Sequence, residues 1–182
     1  MSWGSQHLRY FNGNKIPIRA IQDFDHAMIH LGKGFTHSSR HNGIAAAASL
    51  DHYLVCGNAS HLRNLEVEAD GSPVSAIVYE NPTVSANGTA EVIQNNNRYR
   101  VTENPSGNTL YHSPTVTDVG TELGQVFIPT AGGNSGGVGL LAGGEFLLKG
   151  GNTYLIRFTN EDTTATDMHL LLFWYEPNNG EN

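Results

Sequence analysis

Short apolar runs broken by glycine, asparagine, aspartate and threonine recur along this chain, and their spacing is that of β-strands joined by turns. The pattern is clearest from Ala131 to Glu176. A glycine-rich stretch, Ala131-Gly-Gly-Asn-Ser-Gly-Gly-Val-Gly139, precedes the runs Glu145-Phe-Leu-Leu-Lys149, Tyr154-Leu-Ile-Arg-Phe158 and His169-Leu-Leu-Leu-Phe-Trp-Tyr-Glu176. Tyr154, Ile156 and Phe158 alternate with Leu155, Arg157 and Thr159, which predicts one buried and one partly wet face. Leu170 to Tyr175 is apolar on both faces, so it predicts an inner strand covered by the core and by another layer or subunit. Periodicity ends after Glu176, where the domain should close.

Upstream the same reading continues. Leu65 and Val67 alternate with Asn64, Glu66 and Glu68, and Asp70-Gly71 then predicts a hairpin into Val74-Ser-Ala-Ile-Val-Tyr79. Ile44 to Val55 is rich in alanine and leucine, but His52-Tyr-Leu-Val-Cys56 is β-prone and Gly57-Asn58 ends it, which favours a strand. Ala27, Met28, Ile29 and Leu31 fit one helical turn or a strand, and Gly32 and Gly34 follow too soon for a long helix. Gln125-Val-Phe-Ile-Pro129 predicts a short strand. An internal echo stands out: Asn81-Pro-Thr-Val-Ser-Ala-Asn-Gly88 returns as Ser113-Pro-Thr-Val-Thr-Asp-Val-Gly120. Proline presets φ and the glycine supplies a left-handed position, so both copies should make similar turns at comparable ends of a sandwich. About eight to ten short strands and no extended helix predict an all-β fold, an antiparallel β-sandwich of jelly-roll-like type.

Residues 1–20 hold neither period, and Pro17 excludes a central strand. They read as an extended N-terminal arm whose apolar residues, Trp3, Leu8, Tyr10, Phe11, Ile16 and Ile18, bury either on their own domain or on a neighbouring subunit, and they are the candidate interface. The organisation expected is an arm over 1–20, a sandwich over 21–176 and a flexible C-terminal tail over 177–182.

Composition narrows the function. The length of 182 residues suits one domain that buries roughly 70% of its extended surface. Charged residues are only 15%, and a net charge of −7 without any lysine or arginine run lacks the footprint of a nucleic-acid binder. No apolar stretch approaches the roughly 20 residues of a membrane span, and no basic-then-apolar leader opens the sequence, which predicts a cytoplasmically made, soluble chain. Asn58-Ala-Ser60 and Asn87-Gly-Thr89 match the glycosylation acceptor pattern, but without a leader they read as incidental. The single cysteine, Cys56, excludes an intramolecular disulfide and reads as a buried strand thiol.

Three constellations invite chemistry. Gly133-Asn-Ser-Gly-Gly137 differs by one residue from the motif around the nucleophile of chymotrypsin-like proteases, and His52, Asp70 and Ser135 stand in the chain order of that triad. The Ala-Ala-His-Cys context of such a protease histidine is missing, and a glycine-rich sandwich loop explains the motif without catalysis. His26 and His30 share i, i+4 spacing, as do His37 and His41. The His-Glu-x-x-His pattern would need glutamate where Ala27 stands. These histidines read as hydrogen-bonded groups at a core edge or subunit contact, with a structural metal, within one chain or shared between subunits, as the competing reading. Phe146, Tyr154, Phe158, Phe173, Trp174 and Tyr175 lie within strands and read as core, not as a sugar-stacking platform. No catalytic, cofactor-binding or metal residue is assigned.

Taken together, Asp25-His-Ala-Met-Ile-His-Leu-Gly-Lys-Gly-Phe35, Pro82-Thr-Val-Ser-Ala-Asn-Gly-Thr89, Tyr111-His-Ser-Pro-Thr-Val-Thr117, the glycine-rich 132–144, Glu145-Phe-Leu-Leu-Lys149, Tyr154 to Asn160 and Phe173-Trp-Tyr-Glu176 resemble a family of structural virion proteins of tailed bacteriophages, associated with head decoration or cement. The similarity spans most of 21–176 and rests on individually weak motifs in a shared order. It implies a non-enzymatic β-sandwich that binds the major capsid protein on the outside of the assembled head, as a homodimer or homotrimer, after synthesis in the host bacterial cytoplasm. It carries no catalytic residue and no cofactor. A tail or fibre component with carbohydrate-binding loops is the alternative.

Overall fold

The computed structural model describes residues 9–11, 14–16, 24–70, 72–99, 104–129, 136–139 and 145–177, with side chains from residue 26 onward outside 136–139. In chain order the elements are β1 (Arg9–Phe11), β2 (Asn14–Ile16), α1 (Phe24–His30), β3 (Gly34–Ile44), β4 (Ser49–Val55), β5 (Ser60–Ala69) and β6 (Val74–Glu80). There follow β7 (Thr83–Ala86), β8 (Thr89–Ala90), β9 (Gln94–Asn95), β10 (Thr109–His112), β11 (Thr115–Asp118) and β12 (Thr121–Ile128). The chain closes with β13 (Gly136–Gly139), β14 (Phe146–Leu148), β15 (Thr153–Asn160) and β16 (Thr166–Tyr175).

Two antiparallel sheets make the sandwich. One has the order β12-β6-β15-β4-β10-β8, the other β13-β5-β16-β3-β9 with β14 also on β5. The expected all-β antiparallel sandwich is thus the architecture. The two C-terminal runs take the central place in opposite sheets: β15 lies between β6 and β4, and β16 between β5 and β3. Their inward side chains, Tyr154, Ile156 and Phe158 from β15 and Met168, Leu170, Leu172 and Trp174 from β16, are all buried. Burying one leucine- or phenylalanine-sized side chain contributes about 1.5–3 kcal/mol, so this facing pair of strands dominates the core. On β16 the outer Leu171 and Phe173 are only half-buried, so the strand alternates instead of being covered on both faces.

Two local expectations are corrected, and one left between a helical turn and a strand is decided as helix. Ile44 to Val55 is not one strand: β3 ends at Ile44, the backbone turns through Ala47 at φ 55°, and β4 begins in the other sheet. The Asp70-Gly71 hairpin does not form, because β5 pairs with β16, β13 and β14 while β6 pairs with β12 and β15. Both runs are apolar toward the same interior, and Pro73, which has no N–H for a ladder, precedes β6, so the connection arches between layers. Phe24 to His30 is helical, ended by Gly32 at φ 73°, with Lys33 N donating to the Met28 carbonyl.

The echoed segments pair with each other. β7 and β11 form a two-stranded antiparallel ribbon with Val84 opposite Val116. Asn81 and Ser113 both take positive φ, 57° and 54°, as do Gly88 and Gly120, at 88° and 83°. The glycines are reciprocal: a Cβ on Gly88 would lie 2.2 Å from the His112 carbonyl oxygen, and one on Gly120 would lie 2.2 Å from that of Glu80. The repeat therefore encodes a local pseudo-twofold clasp.

Glu176 ends the last strand and is fully buried. Its Oε1 accepts from Ser106 Oγ (2.6 Å) and Trp174 Nε1 (3.0 Å), and its Oε2 from Asn58 Nδ2 and Gly107 N, both 2.9 Å. One carboxylate thus joins β16 to two loops of the sandwich end.

In the N-terminal arm, β1 and β2 pair with Arg9 opposite Ile16 and Tyr10 opposite Lys15, although the hydrophobic pattern there announced no strand. Trp3, Leu8 and Ile18 lie outside the described residues, and Tyr10, Phe11 and Ile16 are described by backbone alone. Residues 178–182 also lie outside.

Candidate functional site

Strand periodicity sets up a cluster of ionisable groups between the two sheets. His37, Ser39 and His41 alternate along one face of β3. His52 of β4 lies across from it, and in the ladder it pairs directly with His112 of β10. Glu91 follows β8, held in place by its amide donating to the Leu110 carbonyl at 2.8 Å. Four histidines and a carboxylate from both sheets thus share one region of the interior.

The distances are short. The rings of His41 and His52 lie 5.1 Å apart, those of His41 and His112 5.3 Å, and those of His37 and His52 6.3 Å. His37 Nδ1 bonds the Val92 carbonyl at 3.0 Å. Ser39 Oγ lies 3.3 Å from both His52 Nε2 and His41 Nε2. His112 Nε2 stands 3.9 Å from Glu91 Oε1. His37 and His52 are 2% and 0% exposed, yet His37 Nε2 and His52 Nδ1 have no hydrogen-bond partner among the described residues. One donor atom each from His37, His52 and Glu91 falls within 4.8 Å of the others.

Burial pushes the His52 imidazole well below the ordinary histidine range, aided by the neighbouring His41, His37 and His112. Burial followed by the nearness of His112 lowers His41 as well. A neutral imidazole is the form that offers a lone pair to a metal.

The histidine spacings separate on the structure. His37 and His41 meet inside the sandwich, whereas His26 and His30 lie exposed on α1 with their Nε2 atoms 2.9 Å apart. His52, His112 and Glu91 were not singled out as partners of the first pair. Their one visible signal was polar residues inside β-prone runs. Of the protease-like trio, His52 bonds Ser39 and Asp70 lies beside Arg40 and Asp167, while Ser135 lies outside the described residues. Cys56 is buried, and burial, together with the charge of Glu176, pushes its thiol up to about 12, far from a reactive thiolate.

Two surface features complete the inventory. A cleft of about 410 Å³ lined by Arg40, Glu68, Asp70, Asp167 and His169 is internally charge-paired, with Arg40 Nη2 2.7 Å from Asp167. Exposed apolar side chains are spread over the described surface: Leu31, Val92 and Tyr99, with Leu123 and Phe127 on the edge strand β12 and Leu147 on β14, whose neighbour Phe146 reaches Gly124 of β12. No helix among the described residues is long and apolar enough to cross a membrane. Compared with known proteins, the chain matches no family model, no curated protein and no solved structure.

Proposed function

We propose that this chain is a non-enzymatic decoration or cement protein of a tailed-bacteriophage head, which binds the outer surface of the assembled capsid and fastens neighbouring copies of the major capsid protein. The observation that carries the reading is the disposition of its side chains. Within the described residues the nucleophile and most clustered ionisable groups are buried or paired, while Leu123, Phe127 and Leu147 face outward along adjoining sheet edges. A sandwich with apolar groups at an edge offers contact area, as a protein that acts by binding in many copies requires. Association as a homodimer or homotrimer matches the closed symmetry of lattice axes. The acidic net charge of −7 favours solubility of the free protein before it meets the shell.

One observation favours the second reading, a tail or fibre component with carbohydrate-binding loops. Tyr99 is 98% exposed beside the polar Asn95-Asn-Asn-Arg98, where a ring face is free to stack on a sugar. Quantitative mass spectrometry of purified virions separates the two. A copy number equal to that of the major capsid protein, or a simple fraction of it, is expected for decoration. A few copies per particle would move the protein to the tail, and absence from the particle would refute both.

A further inference from the structure

We propose that His37, His52 and Glu91 form a binding site for a single divalent transition-metal ion of the zinc class, which cross-links the two sheets of the sandwich. The proposal stands apart from the capsid reading and rests on four features of the interior.

The donors are preorganised. His37 Nδ1 must donate to the Val92 carbonyl, since a carbonyl only accepts, and this leaves Nε2 as the bare nitrogen. Ser39 has one hydroxyl proton for two imidazoles. Of the two arrangements open to it, donating to His41 Nε2 and accepting the Nε2–H of His52 is the one that leaves His52 Nδ1 bare for a metal. Both of these nitrogens are without a hydrogen-bond partner among the described residues. Holding one ring nitrogen by a hydrogen bond so that the other carries its lone pair is how metal-binding histidines are oriented.

An unpaired buried polar atom costs on the order of 1–3 kcal/mol, and the two histidines that carry one each place a ring nitrogen within 4.8 Å of the Glu91 carboxylate. Glu91 supplies the anionic ligand. Its side chain is 18% exposed, with His112 Nε2 3.9 Å from Oε1. Two imidazoles and one carboxylate suit zinc and its first-row neighbours and suit neither calcium nor magnesium, which take oxygen ligands. Donors around zinc at about 2.0–2.1 Å stand roughly 3.3 Å from one another, so side chains already within 4.8 Å need only small closing shifts.

The site also borders the surface. A surface groove of about 560 Å³ lies beside it, lined by Thr36, His37, Ser38, Glu91, Val92, Gln94 and Asn96, so that two of the three ligands border solvent-filled space. The structural consequence follows from topology: His37 belongs to β3 of one sheet, whereas His52 lies in β4 of the other and Glu91 follows β8, so the ion would tie the layers together. An ion bound only by the folded state raises its stability with concentration.

The test uses untagged full-length protein stripped with a chelator. Zinc chloride is added under equilibrium dialysis with elemental analysis, and cobalt(II) chloride is added with visible spectroscopy. The wild type is expected to take up one zinc per chain, show a tetrahedral-type cobalt spectrum and melt at a higher temperature with zinc. E91Q, at the mouth of the groove, and H37Q are expected to weaken zinc binding by at least about tenfold, since even removal of a ligand's hydrogen-bond partner costs that much. H26A/H30A, which removes the exposed pair on α1, is expected to bind as the wild type does. Should H37Q not fold, E91Q and the wild-type cobalt spectrum still decide. No zinc uptake by the wild type would overturn the proposal and leave a buried water as the partner of the two nitrogens. Unchanged binding in E91Q, or loss of binding in H26A/H30A, would overturn it equally.

Discussion

Replacing Glu176 by glutamine changes almost no volume, yet it should be among the most damaging conservative substitutions in this chain. The carboxylate is fully buried and accepts four hydrogen bonds, two on each oxygen, from Ser106, Trp174, Asn58 and Gly107. Glutamine retains one acceptor oxygen, and whichever way its amide is turned the NH₂ faces two donors. With the nitrogen in the Oε1 place, the Ser106 hydroxyl rotates to accept, but the Trp174 indole N–H is left without an acceptor. With the nitrogen in the Oε2 place, both Asn58 Nδ2 and Gly107 N confront it. A buried donor left unsatisfied costs about 1–3 kcal/mol, and bonds to a charged acceptor are stronger than those to an amide, so the expected loss is about 2–4 kcal/mol. Urea denaturation followed by far-ultraviolet circular dichroism measures it. With an m-value of roughly 1–3 kcal/mol/M, the midpoint should fall by on the order of 1–2 M at unchanged m. A loss below about 1 kcal/mol would refute the reasoning, because the carboxylate would then not be the junction of β16 and the two loops.

Three further outcomes are expected. Gly88→Ala and Gly120→Ala should each destabilise by more than about 1 kcal/mol, through positive φ together with a Cβ placed 2.2 Å from a backbone oxygen, and the two losses should not add if the clasp opens as a unit. Arg157 and Asp51 face each other across β15 and β4 with two bonds of 2.7 Å, so a double-mutant cycle with alanine should give a coupling of about 1–2 kcal/mol, and zero coupling would refute the pair's contribution. Cys56, its thiol raised to about 12 by burial and then by Glu176, should resist alkylation in the native state. Because the unfolded thiol releases its proton near pH 9 and the native one does not, this contribution is intact below pH 9. It then falls by about 1.4 kcal/mol per pH unit up to about 12, a slope absent from Cys56→Ala.

The strand pattern and the left-handed turns of the repeat were legible in the sequence because each depends on residues close together in the chain. Alternation in Tyr154 to Phe158 states which side is apolar, and Pro followed by Gly states where the backbone reverses. Pairing partners are a different kind of information. Asp70-Gly71 carries a strong local hairpin signal, yet β5 and β6 lie in opposite sheets because both bury their apolar faces toward one interior, against the central β16 and β15. Likewise the repeat announced two similar turns, and only the folded chain joined them as one ribbon. The histidine cluster belongs to the same class. The i, i+4 spacings of His26 with His30 and of His37 with His41 are equivalent on paper, but α1 leaves the first pair in solvent while β3 turns the second inward. There it meets His52, His112 and Glu91, which come from distant parts of the chain. Local periodicity decides which way a side chain points; which other side chains it meets is decided by long-range packing, whose energy is shared among many weak contacts and is written in no single motif.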